Sequence, residues 1–223
     1  KIIKLDTISF RTCLNSTIEV ANIYKNYAKY LVASEEVTIG SPADSAIRFI
    51  NDINITDTPV EYGKKQIQVY KELVSNTCNY SSSNTSDDNY CVDSTYSITD
   101  LSKVDDISRE LGEFSKDLNS KLSSKYSEYS KLRSNMSQYA SDEPAYDMID
   151  LYNLTEVFDK YSDNAKKLRD SIEEAIVYNW TNTNYSHGLS VYFPYNNKAF
   201  LSSYSDISTS ADYTSLITNF YNM

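Results

Sequence analysis

Between Leu101 and Tyr139 apolar residues recur every three or four positions: Leu101, Val104, Ile107, Leu111, Phe114, Leu118, Leu122, Tyr126, Tyr129, Leu132, Met136 and Tyr139. That spacing is one face of an α-helix. It predicts one long helix, or two broken near Gly112 or Ser123-Ser124, with Pro144 ending the run. A stripe of this length has to be covered, either by the core of the same chain or by an oligomerising coiled-coil partner.

The flanking segments decide what such a helix could pack on. Lys4 to Phe10 alternates and reads as a strand. Leu14, Ile18, Ala21, Tyr24, Ala28 and Leu31 then follow a helical period, and Leu31-Val32-Ala33 has the look of a buried strand. Strand, helix, strand is a right-handed crossover unit of a parallel sheet. Helix starts follow at Ser41-Pro42, with Ala46, Ile47, Ile50 and Ile53 as the apolar face, and at Thr58-Pro59-Val60-Glu61, a capping box. Strands are expected near 96–101 and 188–194. A second amphipathic run carries Val157 to Ile176, and a final helix uses Tyr213, Leu216, Ile217 and Phe220. The pattern argues an α/β fold, a sheet flanked by helices with a mostly helical C-terminal part. It divides into residues 1–92 and 93–223.

The formal charge of −10 and a pI near 4.6 argue against a basic face for nucleic acid or anionic membrane. No apolar run approaches the roughly 18 residues of a membrane span. The opening Lys1-Ile2-Ile3-Lys4-Leu5 already reads as a strand, as expected of a processed or excised piece. Asn-x-Ser/Thr triplets such as Asn79-Tyr80-Ser81 arise by chance in so Asn- and Ser-rich a chain.

There are three cysteines and one histidine. Cys78 and Cys91 bracket a polar Ser/Asn/Asp stretch. They read as a disulfide of a secreted protein, worth about 3 kcal/mol for such a loop, or as two unrelated thiols. Cys13 is left over, between the first strand and its helix. Nucleophiles in open α/β sheets gather at the carboxyl ends of strands, and a thiol at a helix N-terminus gains thiolate character. His187 precedes a strand, where an edge residue is the simpler reading, and the local signature of papain-like cysteines is missing. No metal site is expected from ligand spacing: Asp142-Glu143 and Asp147 with Asp150 do not form an EF-hand loop. Glu35-Glu36 stands near the presumed active edge.

Leu5-Asp6-Thr7-Ile8-Ser9-Phe10-Arg11-Thr12-Cys13-Leu14 with Ile18-Glu19-Val20-Ala21 resembles the nucleophile segment of the clostripain family of cysteine peptidases. Tyr30 to Glu36, Ser97 to Lys103, Tyr146 to Tyr152 and Gly188 to Pro194 resemble later landmarks of that family, in the same order. The resemblance implies a caspase-like fold, in which 1–92 is the second half of the peptidase domain. It implies Cys13 as nucleophile and a catalytic His upstream, in a light-chain portion outside this sequence. His187 is then without a catalytic part.

By the same resemblance Arg11, Thr12, Ser34 and Glu35 are expected to meet a peptide or protein substrate. Calcium activates some relatives, and location outside the cytoplasm is expected. The family carries an acid two residues before the cysteine, which helps bind Arg or Lys at the cleavage point. Arg11 stands there instead and should favour Asp or Glu. The family's Gly-Trp pair is absent near Gly40-Ser41. The alternative is a catalytically inactive relative kept as a binding or structural module.

Overall fold

The computed structural model describes residues 3–39, 48–84, 92–140, 146–195 and 201–223. The expected features at Gly40-Ser41, Ser41-Pro42, Ala46, Ile47, Cys91, Asp142-Glu143 and Pro144 lie outside them.

The alternating N-terminal segment forms β1 (Leu5–Ser9), followed by α1 (Ile18–Tyr24) and β2 (Ala28–Ala33). β1 and β2 pair in parallel, Leu5 opposite Ala28 and Ser9 opposite Val32, so the predicted crossover unit is present. Its helix is shorter than the apolar period suggested, because the period runs on into Ala28 and Leu31 after the chain has already become extended. Next comes β3 (Thr95–Asp100), antiparallel to β2, and then β5 (Ile176–Thr181), antiparallel to β3. The sheet order is β1-β2-β3-β5, with strands from both sides of residue 92. A second, two-stranded sheet joins β4 (Met148–Asp150) to β6 (Ser190–Tyr192).

Helix α2 (Pro59–Asn84) covers one face of the main sheet, its Ile67, Tyr70 and Val74 packing with Val32, Tyr96 and Ile98. Its start is the capping box read from sequence: Thr58 N donates to Glu61 Oε2 at 2.7 Å, and Glu61 N to Thr58 Oγ1 at 3.2 Å. Gly63 lets this helix lie close, since a Cβ there would meet Ile98 Cδ1 at 2.7 Å. The opposite face carries the larger core, under α1, α3 (Val104–Ser134), α4 (Leu151–Val157), α5 (Ala165–Ala175) and α6 (Ala211–Tyr221). The long periodic run is thus one helix, and its stripe is covered within the chain: Val104, Ile107, Leu111, Phe114, Leu118 and Leu122 are all buried.

The last turn of α3 places Arg133 in this core, 0% exposed. Its Nε and Nη2 donate to Phe193 O at 3.1 and 2.7 Å, and Nη2 lies 3.6 Å from Asp147 Oδ1. The guanidinium sits over the rings of Phe193 and Tyr195, at 5.5 and 5.6 Å from their centroids. Asp147 in turn accepts from Tyr195 N at 3.0 Å. This cluster ties α3 to the segment after β6.

Candidate active site

The chain from Phe10 to Ser16 is pinned along the C-terminal extension of β2. Phe10 N donates to Val32 O at 2.9 Å, Leu14 N to Glu36 O at 3.3 Å and Ser16 N to Ser34 O at 2.8 Å. Cys13 lies on this turn at the carboxyl end of β1, exposed and free. Its Sγ accepts from Thr38 N at 3.3 Å and lies 3.7 Å from Thr38 Oγ1. Asn15 Nδ2 donates to Cys13 O and to Thr12 Oγ1, both at 2.7 Å, which holds the turn around Leu14, a residue at φ +59°. No sequence signal marked Thr38, because its contact with Cys13 is made by the fold.

One expectation needs correction. Cys13 is not at a helix N-terminus: α1 starts at Ile18, and its cap is Thr17, whose side chain accepts from Val20 N. The helix dipole fades within about a turn, so it is no argument for the thiol's reactivity.

Two different surroundings flank Cys13. On the α2 side, half-buried Arg11 lies near Tyr96, whose hydroxyl donates to Phe10 O. Burial pushes the Tyr96 phenol up to about 12, against a smaller opposing pull from Arg11. Tyr70 accepts from Ile39 N at 3.2 Å and stacks obliquely on Tyr96. Thr12 is exposed. On the α1 side there is an apolar cavity of about 420 Å³ with Cys13 in its lining.

Ser34 and Glu35 occupy a different place from the one expected of them. Both are fully buried behind the turn, with their side chains turned into the protein. Ser34 Oγ donates to Glu36 O at 2.9 Å and Thr95 Oγ1 accepts from Glu35 N at 2.8 Å. Glu36 Oε1 accepts from Val37 N at 2.7 Å and Ala140 N at 2.8 Å. Alternation along the extended segment could not reveal this, since Ser34 to Glu36 are all buried.

Glu35 Oε2 accepts from Gly188 N at 2.9 Å, and Oε1 lies 3.0 Å from the Tyr139 hydroxyl. Burial, reinforced by the Asp150 carboxyl beside it, holds the Glu35 pKa well above the usual carboxylate range. Asp150 also accepts from His187 N at 2.7 Å, meets His187 Nδ1 at 2.9 Å and caps α4 through Asn153 N at 2.6 Å. The imidazole stacks on Tyr152 with centroids 4.4 Å apart. His187 is therefore engaged with Asp150, while Sγ of Cys13 is engaged with Thr38. Asp147 faces Arg133, and Asp150 faces His187. Among the described residues no group of three or more metal-ligating side chains gathers.

The cluster has a measurable consequence. An unfolded chain releases the Glu35 proton near pH 4.5, whereas the folded chain retains it to higher pH. Above about 4.5 the unfolded state binds fewer protons, so stability falls as pH rises until the folded group ionises. Glu35→Gln is expected to flatten the fall in chemical-denaturation stability between pH 5 and 8. An unchanged slope would show that Glu35 titrates normally in the fold.

The sequence profile of the clostripain family matches residues 1–221. The chain belongs to the clostripain family. Solved structures agree at the level of fold. A cysteine protease from B. fragilis matches with a TM-score of 0.64 at 14% identity, covering 98% of this chain and 89% of that one. A clostripain from Bacteroides thetaiotaomicron ATCC 29148 in complex with a peptide inhibitor matches at 0.59 and 16%, covering 96% and 88%. A secreted C11 cysteine protease from Bacteroides thetaiotaomicron, in complex with an irreversible peptide inhibitor, matches at 0.65 and 15%, covering 97% and 60%. No curated protein sequence matches the chain.

This clostripain-family chain accordingly has the caspase-like cysteine-protease fold that its landmarks implied. Among the described residues no helix is long and apolar enough to cross a membrane. Cys78 is disulfide-bonded, and Cys91, its expected partner, lies outside the described residues.

Proposed function

We propose that this clostripain-family protein is a cysteine endopeptidase with Cys13 as nucleophile. The observation that carries the reading is the exposed, free thiol of Cys13 at the carboxyl end of β1, within a family of cysteine peptidases. Sγ attacks the scissile carbonyl, and the C–N bond breaks to leave a thioester on Cys13. The sulfur proton passes to the leaving amine by way of a histidine on an upstream light-chain portion, and water then hydrolyses the thioester. Thr38 N–H, with its nitrogen 3.3 Å from Sγ, holds the exposed thiol in place. His187 keeps its structural bond to Asp150 and takes no step. On its own, without the upstream histidine, this chain is inactive. The Cys78 disulfide and the secreted relative support a location outside the cytoplasm.

A reactive peptidyl electrophile, incubated with the full-length protein and followed by peptide mass spectrometry, tests the assignment. Modification is expected at Cys13. Modification elsewhere, or none, would refute it.

Specificity at the residue preceding the cleaved bond is proposed to be acidic rather than basic. Arg11 beside Tyr96 supplies a guanidinium where the family places an acid, and a guanidinium attracts a carboxylate and repels a basic side chain. In a panel of fluorogenic peptides, Asp or Glu at that position is expected to be cleaved at least about 10-fold faster than Arg or Lys. Faster turnover after Arg or Lys would end the idea.

A further inference from the structure

The cavity on the α1 side of Cys13 has no role in the chemistry proposed above. Its walls include Leu14, Val20, Ile23, Tyr146, Met148 and Ile207, brought together from the nucleophile turn, α1, the entry to β4 and the segment before α6. Three of them, Ile23, Tyr146 and Ile207, remain 46%, 39% and 44% exposed. Large apolar side chains scattered singly over a surface need no explanation, but several gathered around one concave opening do. Carboxyl chemistry does not dominate the opening either. Glu19 lies in the lining but is buried, with Oε1 accepting from Tyr204 at 2.6 Å and Tyr192 N at 3.3 Å. Burial also raises its pKa, which favours the neutral form.

Placement decides what such a cavity would hold. Arg11 lies near Tyr96 and Ile39 N bonds Tyr70, both residues of the core under α2. The cavity beside Cys13 instead takes Val20 and Ile23 from α1, which packs on the opposite face of the sheet. A scissile bond set over Sγ has its acyl half on one side and its leaving amine on the other. With the acyl residue beside Arg11, the leaving half falls toward α1. We propose that this cavity is the subsite for a large apolar side chain on the amine side of the cleaved bond, in the substrate residue whose nitrogen departs or the one after it. The inference rests on the peptidase reading above and adds a substrate class to it. The cleaved sequences are those in which an apolar residue such as Leu or Phe follows the cut.

Acyl transfer tests this directly. The full-length protein is acylated at Cys13 by a peptide ester, and added amino-acid amides compete with water for the thioester. The amine nitrogen attacks the thioester carbonyl, the C–N bond forms as the C–S bond breaks, and a proton from the amine returns to the sulfur. Leucinamide and phenylalaninamide are expected to capture the acyl group at least about 10-fold better than glycinamide or lysinamide at equal concentration of free amine. Ile23→Asp and Ile207→Asp should each bring the leucinamide-to-glycinamide ratio toward one, whereas Ile55→Asp, on a fully exposed residue outside the cavity, should leave it unchanged. The ratio is internal to each variant, so a lower active fraction does not affect it.

Equal capture of glycinamide and leucinamide, or preference for lysinamide, would overturn the subsite while leaving the nucleophile assignment intact. Failure to form any acyl-enzyme at Cys13 would overturn the peptidase reading and the subsite together.

Discussion

Cys13→Ala in the full-length protein is expected to lower peptide hydrolysis by at least about 10⁴-fold, the scale seen when a covalent nucleophile is removed from a protease. Its effect on stability should be small, within about 0.5 kcal/mol, because the side chain is exposed. The two readouts together separate chemistry from folding. Hydrolysis measured with a fluorogenic peptide should vanish while the thermal midpoint stays put. If the unsubstituted protein turns over no peptide yet binds peptides as well as Cys13→Ala does, the chain is a binding module instead. If Cys13→Ala retains full turnover, the nucleophile lies elsewhere.

Arg133→Ala should be the most damaging single change to stability. It deletes two hydrogen bonds to Phe193 O and leaves the buried Asp147 carboxyl without its countercharge. Breaking a buried pair from one side costs about 3–5 kcal/mol. For a chain of this size that lowers the thermal midpoint by roughly 10 °C. Lys131→Ala, an exposed residue on the same helical turn, is the control and should shift stability by less than about 0.5 kcal/mol. A loss under about 1 kcal/mol for Arg133→Ala would mean that water or rearrangement replaces the pair. Because the guanidinium links α3 to the chain after β6, the variant should also loosen the β4–β6 sheet. Faster amide exchange at Val191 and Tyr192 would report it.

Local periodicity made much of this architecture readable. The β1–α1–β2 unit, the reciprocal Thr58–Glu61 cap and the long helix α3 each follow from residues within a few positions of one another. The strands that escaped notice failed for definable reasons. β5 continues the spacing of α5 through Ile172 and Ile176 with no Gly or Pro between, so a helical period hides the change to an extended chain. β4 is confined to Met148–Asp150, too short for alternation to register. The antiparallel pairing of β3 with both neighbours is a tertiary fact with no local mark.

The site divides in the same way. Cys13 and Arg11 stand within one contiguous segment, where a resemblance to the family is legible without the fold. The burial of Ser34 and Glu35, the contact with Thr38 and the Asp150–His187 pair could not, because each partner comes from a distant part of the chain. The cavity is the extreme case, with walls drawn from residue 13 to residue 207.

Leu14 adopts a backbone shape in which glycine would sit at ease, and for a residue with a side chain that shape costs on the order of 1–3 kcal/mol. Yet the isobutyl group it carries is one wall of the hollow beside the sulfur. Trading it for glycine would relax the turn and erase the wall in one stroke. Anyone hardening this protein against heat should therefore leave that residue alone: the same atoms that burden the fold form a wall of the proposed subsite.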